Sequence, residues 1–211
     1  EMDLFLFNHP GYLDINMIEI AYRIYRDPVY AWIISQNPTR DFHDYHYWGY
    51  SALTHGIPLE EIRPPSAKSS VFREYGVAMV RSDETEDYWG SDSTTIFVRD
   101  GTRVGHSHND HCNIVLNAFK NNIYPDWFIN WDYQKGKPFS GGMLGHNTVA
   151  VDGRSEAEIR LVRILPLERA GAMQILHMIS GVEGAAYKGV FHTRILGLTS
   201  EYLLDIFDVR S

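Results

Sequence analysis

The chain has 211 residues, 44% of them hydrophobic and 22% charged, the balance of a soluble globular protein, which argues against disorder and allows one sizeable core. A formal net charge of -8 at pH 7 disfavours nucleic acid as a partner, because phosphate binding needs a basic face, but it leaves open an anionic substrate held in a local basic pocket. Cys112 is the only cysteine, so no intrachain disulfide can form, and no stretch is long and apolar enough to span a bilayer.

The start, Glu1-Met2-Asp3-Leu4, lacks the basic region that opens a signal peptide. From Tyr12 to about Leu53 the spacing is helical. Ile15, Ile18, Ala21, Ile24 and Tyr25 form an apolar stripe, Asp14 offers an N-cap, and Asp27-Pro28 is a stop, so two or three helices are expected. The run Phe42-His43-Asp44-Tyr45-His46-Tyr47-Trp48-Gly49-Tyr50 has two readings: packing between helices, or a sugar-binding cleft in which Tyr47 and Trp48 stack on pyranose rings. Pro58 to Ser70, with Arg63-Pro64-Pro65-Ser66 inside it, reads as a linker.

Beyond the linker the period changes from helical to two. Strands are expected at Gly76 to Arg81, Thr94 to Arg99, Asn113 to Phe119, Asn147 to Val151, Ile159 to Leu165, Ala172 to Ile179, Val190 to Leu198 and Tyr202 to Val209. So many short strands without intervening helices imply an antiparallel β-sandwich. The fold class is therefore mainly β with an N-terminal helical segment, divided into residues 1–66 and 67–211.

The strongest chemical signal is Gly105-His106-Ser107-His108-Asn109-Asp110, followed by Asp126 and by Gly145-His146-Asn147. On an extended strand His106 and His108 share a face, and could present two imidazoles to one small volume. Two histidines at this spacing also occur on ordinary polar sheet faces, and ten histidines in the chain make chance clustering real. His108, Asp126 and His146 are nitrogen and oxygen donors of the kind that suits zinc or a similar divalent ion, completed by water or another group. Cys112 reads as a small buried residue rather than a thiolate ligand. A cupin-like metalloenzyme would also begin with His-x-His, but would need a glutamate a few residues later, and none follows before Glu156.

Together with Gly76-Val77-Ala78-Met79-Val80-Arg81, Tyr124-Pro125-Asp126, His146-Asn147-Thr148-Val149-Ala150-Val151-Asp152-Gly153 and His192-Thr193-Arg194-Ile195-Leu196, this ordered set of motifs resembles the C-terminal region of the heparinase II/III-like polysaccharide lyases, a group that includes alginate lyases. The segment Tyr202-Leu203-Leu204-Asp205-Ile206-Phe207 fits the same region, and the resemblance runs from Gly76 to the C-terminus. It implies the end of an α/α toroid followed by an antiparallel β-sandwich, with the active site between them. It also implies that His108, Asp126 and His146 hold a structural divalent metal, usually zinc, while His106 faces substrate. Tyr133 resembles the tyrosine that such enzymes place near the glycosidic bond, although 127–132 replace the usual glycine-containing turn. Asp110 matches an acidic position that orients the histidine strand.

The resemblance further implies β-elimination on a uronic-acid glycan such as alginate or a heparin-like polymer. Such a reaction removes the C5 proton, stabilises the carboxylate-conjugated anion and expels the C4 oxygen as a protonated leaving group. His106 would serve as base or charge stabiliser, Tyr133 would transfer a proton, and Arg194 could meet a substrate carboxylate in bidentate fashion, against its alternative as an interstrand ion pair. Fewer than seventy residues precede the sandwich, so most of a toroid is missing, and the end at Asp208-Val209-Arg210-Ser211 reads as a cut within the sandwich. The remainder of the toroid and an acidic polysaccharide or oligosaccharide are the implied partners, and a periplasmic or secreted setting is expected for polymer degradation. A second reading is a non-catalytic, metal-braced carbohydrate-binding or assembly module.

Overall fold

The computed structural model describes residues 15–36, 58–99, 110–125, 145–154, 163–180, 187 and 189–211. The chain divides into two compact units, Glu1–Ala67 and Lys68–Ser211.

In the first unit, helix α1 (Ile15–Tyr25) is followed by α2 (Pro28–Ser35). The same Asp27-Pro28 that ends one helical pattern begins the next: the Asp27 carboxylate accepts the Val29 N–H at 2.9 Å, and Pro28 occupies the first helical turn, where its missing N–H costs nothing. Arg26 makes the reversal with a φ of 54° and donates its N–H to the Tyr22 carbonyl at 2.8 Å. Tyr22, Ala31 and Ile34 form a small core against Ile18, Tyr30, Ile33 and Leu59, and the Tyr22 hydroxyl accepts the Glu60 N–H. Ile24 and Tyr25 depart from the expected stripe and are 64% and 70% exposed. Ile24 is rotated some 200° past Tyr22, about two residues at 100° each, and Tyr25 stands on the last residue of its helix. Among the described residues no helix is long and apolar enough to cross a membrane.

The second unit is an antiparallel β-sandwich. One sheet runs in sequence order: β1 (Ser70–Phe72), β2 (Val77–Arg81), β3 (Thr95–Arg99), β4 (Val115–Ala118) and β5 (Asn121–Tyr124). The other contains β6 (Arg163–Ile164), β7 (Glu168–Ala170), β8 (Met173–Ser180), β9 (Phe191–Leu198) and β10 (Leu203–Arg210), in the order β10-β9-β8-β6 with β7 also on β8. Alternation makes the layers: Gln174, Leu176, Met178 and Ser180 of β8 are buried and the residues between them half-buried. Ala78, Val80, Ile96, Val98 and Leu116 of the first sheet, with Ile114 just before β4, close on Ile164, Leu176, Met178, Leu196 and Leu198 of the second in one core.

Polar bonds also tie the two sheets together. Gln174 donates its amide to the Arg81 carbonyl, and Glu84 accepts both the Ser69 N–H at 2.7 Å and an Arg169 guanidinium N–H at 2.6 Å. Burial raises the Glu84 carboxyl, but the hydrogen bonds from Arg169 and Ser69, with the Arg169 charge, outweigh it and lower the group from 4.5 to about 2.

Several strands differ from expectation. The expected linker already contains Ser70 of β1. Asn113 to Phe119 is cut short because Phe119 and Lys120, with φ of 53° and 59°, form a two-residue reversal into β5 without the glycine that usually marks one. Glu168–Ala170 joins β8 through a turn at Gly171, φ 61°. Of Ile159 to Leu165, residues 163–164 form β6 and 159–162 lie outside the described residues. Asn147 to Val151 is a turn rather than a strand; only Val151 pairs, with Arg154 across Asp152 and Gly153, both at positive φ. The Asn147 side chain is the reason, since it supplies the hydrogen bonds a strand would have supplied.

Candidate functional site

Ile114 immediately precedes β4, and its backbone needs a partner on both its N–H and its carbonyl. The Asn147 side-chain amide provides both: Oδ1 accepts the Ile114 N–H at 3.2 Å and Nδ2 donates to the Ile114 carbonyl at 2.7 Å. A side-chain amide has a donor and an acceptor spaced like those of a peptide, so one asparagine stands in for a neighbouring strand. The link is reciprocal, because the Asn147 N–H donates to Asn113 Oδ1 at 3.3 Å. One residue on, the Thr148 hydroxyl donates to the His111 carbonyl at 2.6 Å. Residues 111–114 and 147–148 are therefore sewn together.

His146 lies directly against this seam. Its side chain has 0% exposure, and Nε2 is 3.7 Å from Oδ2 of Asp110, too long for a direct hydrogen bond. Asp110 is itself fixed: Oδ2 accepts Asn113 Nδ2 at 2.9 Å, and its carbonyl accepts the Asn113 N–H.

Arg194, on β9, holds the seam from the opposite sheet. Nη1 donates to the Cys112 carbonyl at 2.6 Å, the Asn147 carbonyl at 2.6 Å and Asn147 Oδ1 at 3.0 Å. Nε and Nη2 form a two-pronged ion pair with Asp205 at 2.9 and 2.6 Å, and the guanidinium lies 5.3 Å from the Phe207 ring centroid. The pairing follows from the register: Arg194 sits opposite Phe207, and Asp205 is its diagonal neighbour on the same face. Cys112, at φ 59°, presents its carbonyl to Arg194 while its side chain is buried in the core.

Arg194 is thus the interstrand ion pair, with a side chain only 3% exposed, and not an open guanidinium awaiting a substrate carboxylate. That corrects the expected contact. Alternation puts residue 194 on the inner face with Leu196 and Leu198, so substrate cannot reach it without opening the sandwich. His192 is likewise internal, between the Tyr187 and Phe207 rings at 5.7 Å from each.

Of the expected metal donors, only His146 is described: a buried imidazole adjoining Asn147 and Thr148 and bordered by a carboxylate, and among the described residues no group of three or more donors is gathered. His108 and Asp126 lie outside the described residues, as do His106, Tyr133, Tyr47 and Trp48. Sequence reasoning missed Asn147, Arg194 and Asp205 as one network. The available signal was the hairpin: folding β9 onto β10 about the Thr199–Tyr202 turn brings residues 194 and 205 together.

No family model and no curated protein matches the chain. Solved structures do. A structure titled "Heparinase III-BT4657 gene product" matches with a TM-score of 0.60 at 18% identity, over 93% of this chain and 28% of that one. Heparan sulfate lyase HepC from Pedobacter heparinus matches with a TM-score of 0.64 at 16% identity, over 92% of this chain and 28% of that one, and a HepC mutant gives 0.61. The chain has the fold of part of these lyases, and spans about 28% of their length.

Proposed function

We propose that this chain is the β-sandwich portion, with adjoining helices, of a polysaccharide lyase that cleaves a uronic-acid glycan by β-elimination. The observation that carries the reading is the fold likeness to a heparinase III and to a heparan sulfate lyase. The buried His146 beside Asp110 supports it from within the chain. The heparinase III and heparan sulfate lyase neighbours favour a heparan-type polymer as substrate, with alginate and other acidic glycans as alternatives.

In this reading His108, Asp126 and His146 hold a divalent ion, zinc by the chemistry of the donors. The ion acts as a brace, fixing loops rather than activating substrate. His106 takes the C5 proton or offsets the charge developing on the C6 carboxylate, and Tyr133 passes a proton to the leaving C4 oxygen. Asp110 orients His146, and Arg194 contributes by holding the loops. Tyr47 and Trp48 are proposed to stack on sugar rings. A periplasmic or secreted setting suits an enzyme with a polymeric substrate.

Incubating the intact protein with heparan sulfate, heparin, alginate and a neutral glycan, and following the ultraviolet absorbance of the unsaturated uronate product, tests the reading. Product from an acidic glycan alone, abolished by His106→Ala, supports it. A second reading is a metal-braced glycan-binding or assembly module. Saturable glycan binding without unsaturated product would favour that module.

A further inference from the structure

We propose that Arg194, seated on Asp205, is a positioning residue for His146: a cross-sheet clamp that sets the loop bearing this imidazole from the far side of the core. The inference deepens the metal reading given above and rests on it for the identity of the bound ion.

One nitrogen, Nη1, bonds the Cys112 carbonyl and both oxygens of Asn147, and so touches the two segments that border His146. A single atom shared between two loops fixes their separation, whereas separate bonds to each would let them move independently. Asn147 adjoins His146 in sequence, and its side chain is committed to Ile114. Any displacement of Asn147 therefore moves His146 and breaks bonds at both ends. Asp205 takes the other two guanidinium nitrogens and fixes the direction of Nη1. The planar fork makes this possible; a lysine ammonium in the same place has no fixed direction and cannot serve Asp205 and three further oxygens at once. The arginine and the imidazole are inside the protein, at 3% and 0% side-chain exposure, whereas Asn147 is half-buried and Asp205, 33% exposed, sits at the rim. Buried bonds of this kind persist because water cannot replace them.

The test compares the intact parent with Arg194→Lys, Asp205→Asn and a core control, Leu176→Ala, which destabilises the same sandwich without touching the clamp. Zinc affinity is measured by competition with a chromophoric chelator at a temperature where every variant is folded, and amide hydrogen exchange is followed at 110–114 and 145–148. Arg194→Lys is expected to weaken zinc by about 10–100-fold, the range for loss of a group supporting a metal ligand, and to speed exchange in those two segments while β2 and β3 keep parent rates. Asp205→Asn keeps a hydrogen-bonding partner and gives a smaller effect in the same direction. Leu176→Ala leaves zinc affinity unchanged. Parent-like affinity and protection in Arg194→Lys overturns the clamp, as does a Leu176→Ala variant that weakens zinc equally, since affinity would then merely track stability. If the parent holds no zinc, the metal reading fails by itself. The exchange rates then decide the clamp: segment-specific acceleration in Arg194→Lys supports it, and none overturns it.

Discussion

Arg194 Nη1 lies 2.6 Å from the Asn147 carbonyl oxygen, joining residues 47 positions apart in sequence and from opposite sides of the sandwich. The bond carries a consequence for stability as well as for position. Arg194→Met leaves the Cys112 and Asn147 carbonyls short of a donor and Asp205, 33% exposed, without its cation, and is expected to cost about 2–4 kcal/mol, chiefly from the two carbonyls left unmet. Asp205→Asn keeps an acceptor but leaves the Arg194 cation, 3% exposed, without a counter-charge, and should cost a similar amount, about 2–3 kcal/mol. Chemical denaturation of both variants checks the values.

Asn147→Ala removes both bonds to Ile114 together with an acceptor of Arg194. Ile114 is 1% exposed, so water cannot easily compensate. A loss of about 2–3 kcal/mol is expected, from one or two buried polar groups left unmade. Denaturant midpoints, with unchanged slopes, give the value.

The pH dependence of Glu84 has a definite sign. Its carboxyl is lowered from 4.5 to about 2 in the folded protein, so its contribution is fully present above 4.5 and is lost as pH falls towards 2. The parent should therefore lose stability across that window faster than Glu84→Gln, and the two curves should converge near its acid end. At neutral pH the substitution should cost about 1 kcal/mol, since Arg169 is 57% exposed and its attraction is screened. Thermal melts at stepped pH measure the convergence.

The sandwich was legible in the sequence because β8 and β9 alternate without interruption, and because Gly and Asp mark many of the turns. Two hairpins escaped for local reasons. Phe119 and Lys120 adopt positive φ without glycine, so no residue announced the turn, and the three-residue β7 is too short for a period to register. Asn147 to Val151 was misread as a strand because Val149, Ala150 and Val151 have strand composition, while the deciding bonds come from Asn147 to a segment 33 residues earlier. Such a long-range bond leaves no local pattern. The ion pair of Arg194 was legible as one of its two readings, but its bonds to Cys112 and Asn147 were not, because an arginine on a strand reads the same whether it faces solvent or core.

Asn117 on β4 is 6% exposed, and among the described residues neither end of its amide has a hydrogen-bond partner. An unmet buried amide costs more than a lost bond, so Asn117→Leu, which keeps its heavy-atom number and branching, is expected to raise stability by about 1 kcal/mol. A fall in the denaturation midpoint would show that the amide is bonded in solution.

The most direct measurement is elemental analysis of the purified protein after mild dialysis against a weak chelator, comparing the parent with His146→Ala, His108→Ala and Asp126→Ala. Near-stoichiometric zinc or a similar divalent ion in the parent, lost in all three variants while they remain folded, is the predicted result. A folded parent without bound metal, or variants that keep it, would contradict the account of His146 as a ligand in a metal-braced lyase sandwich.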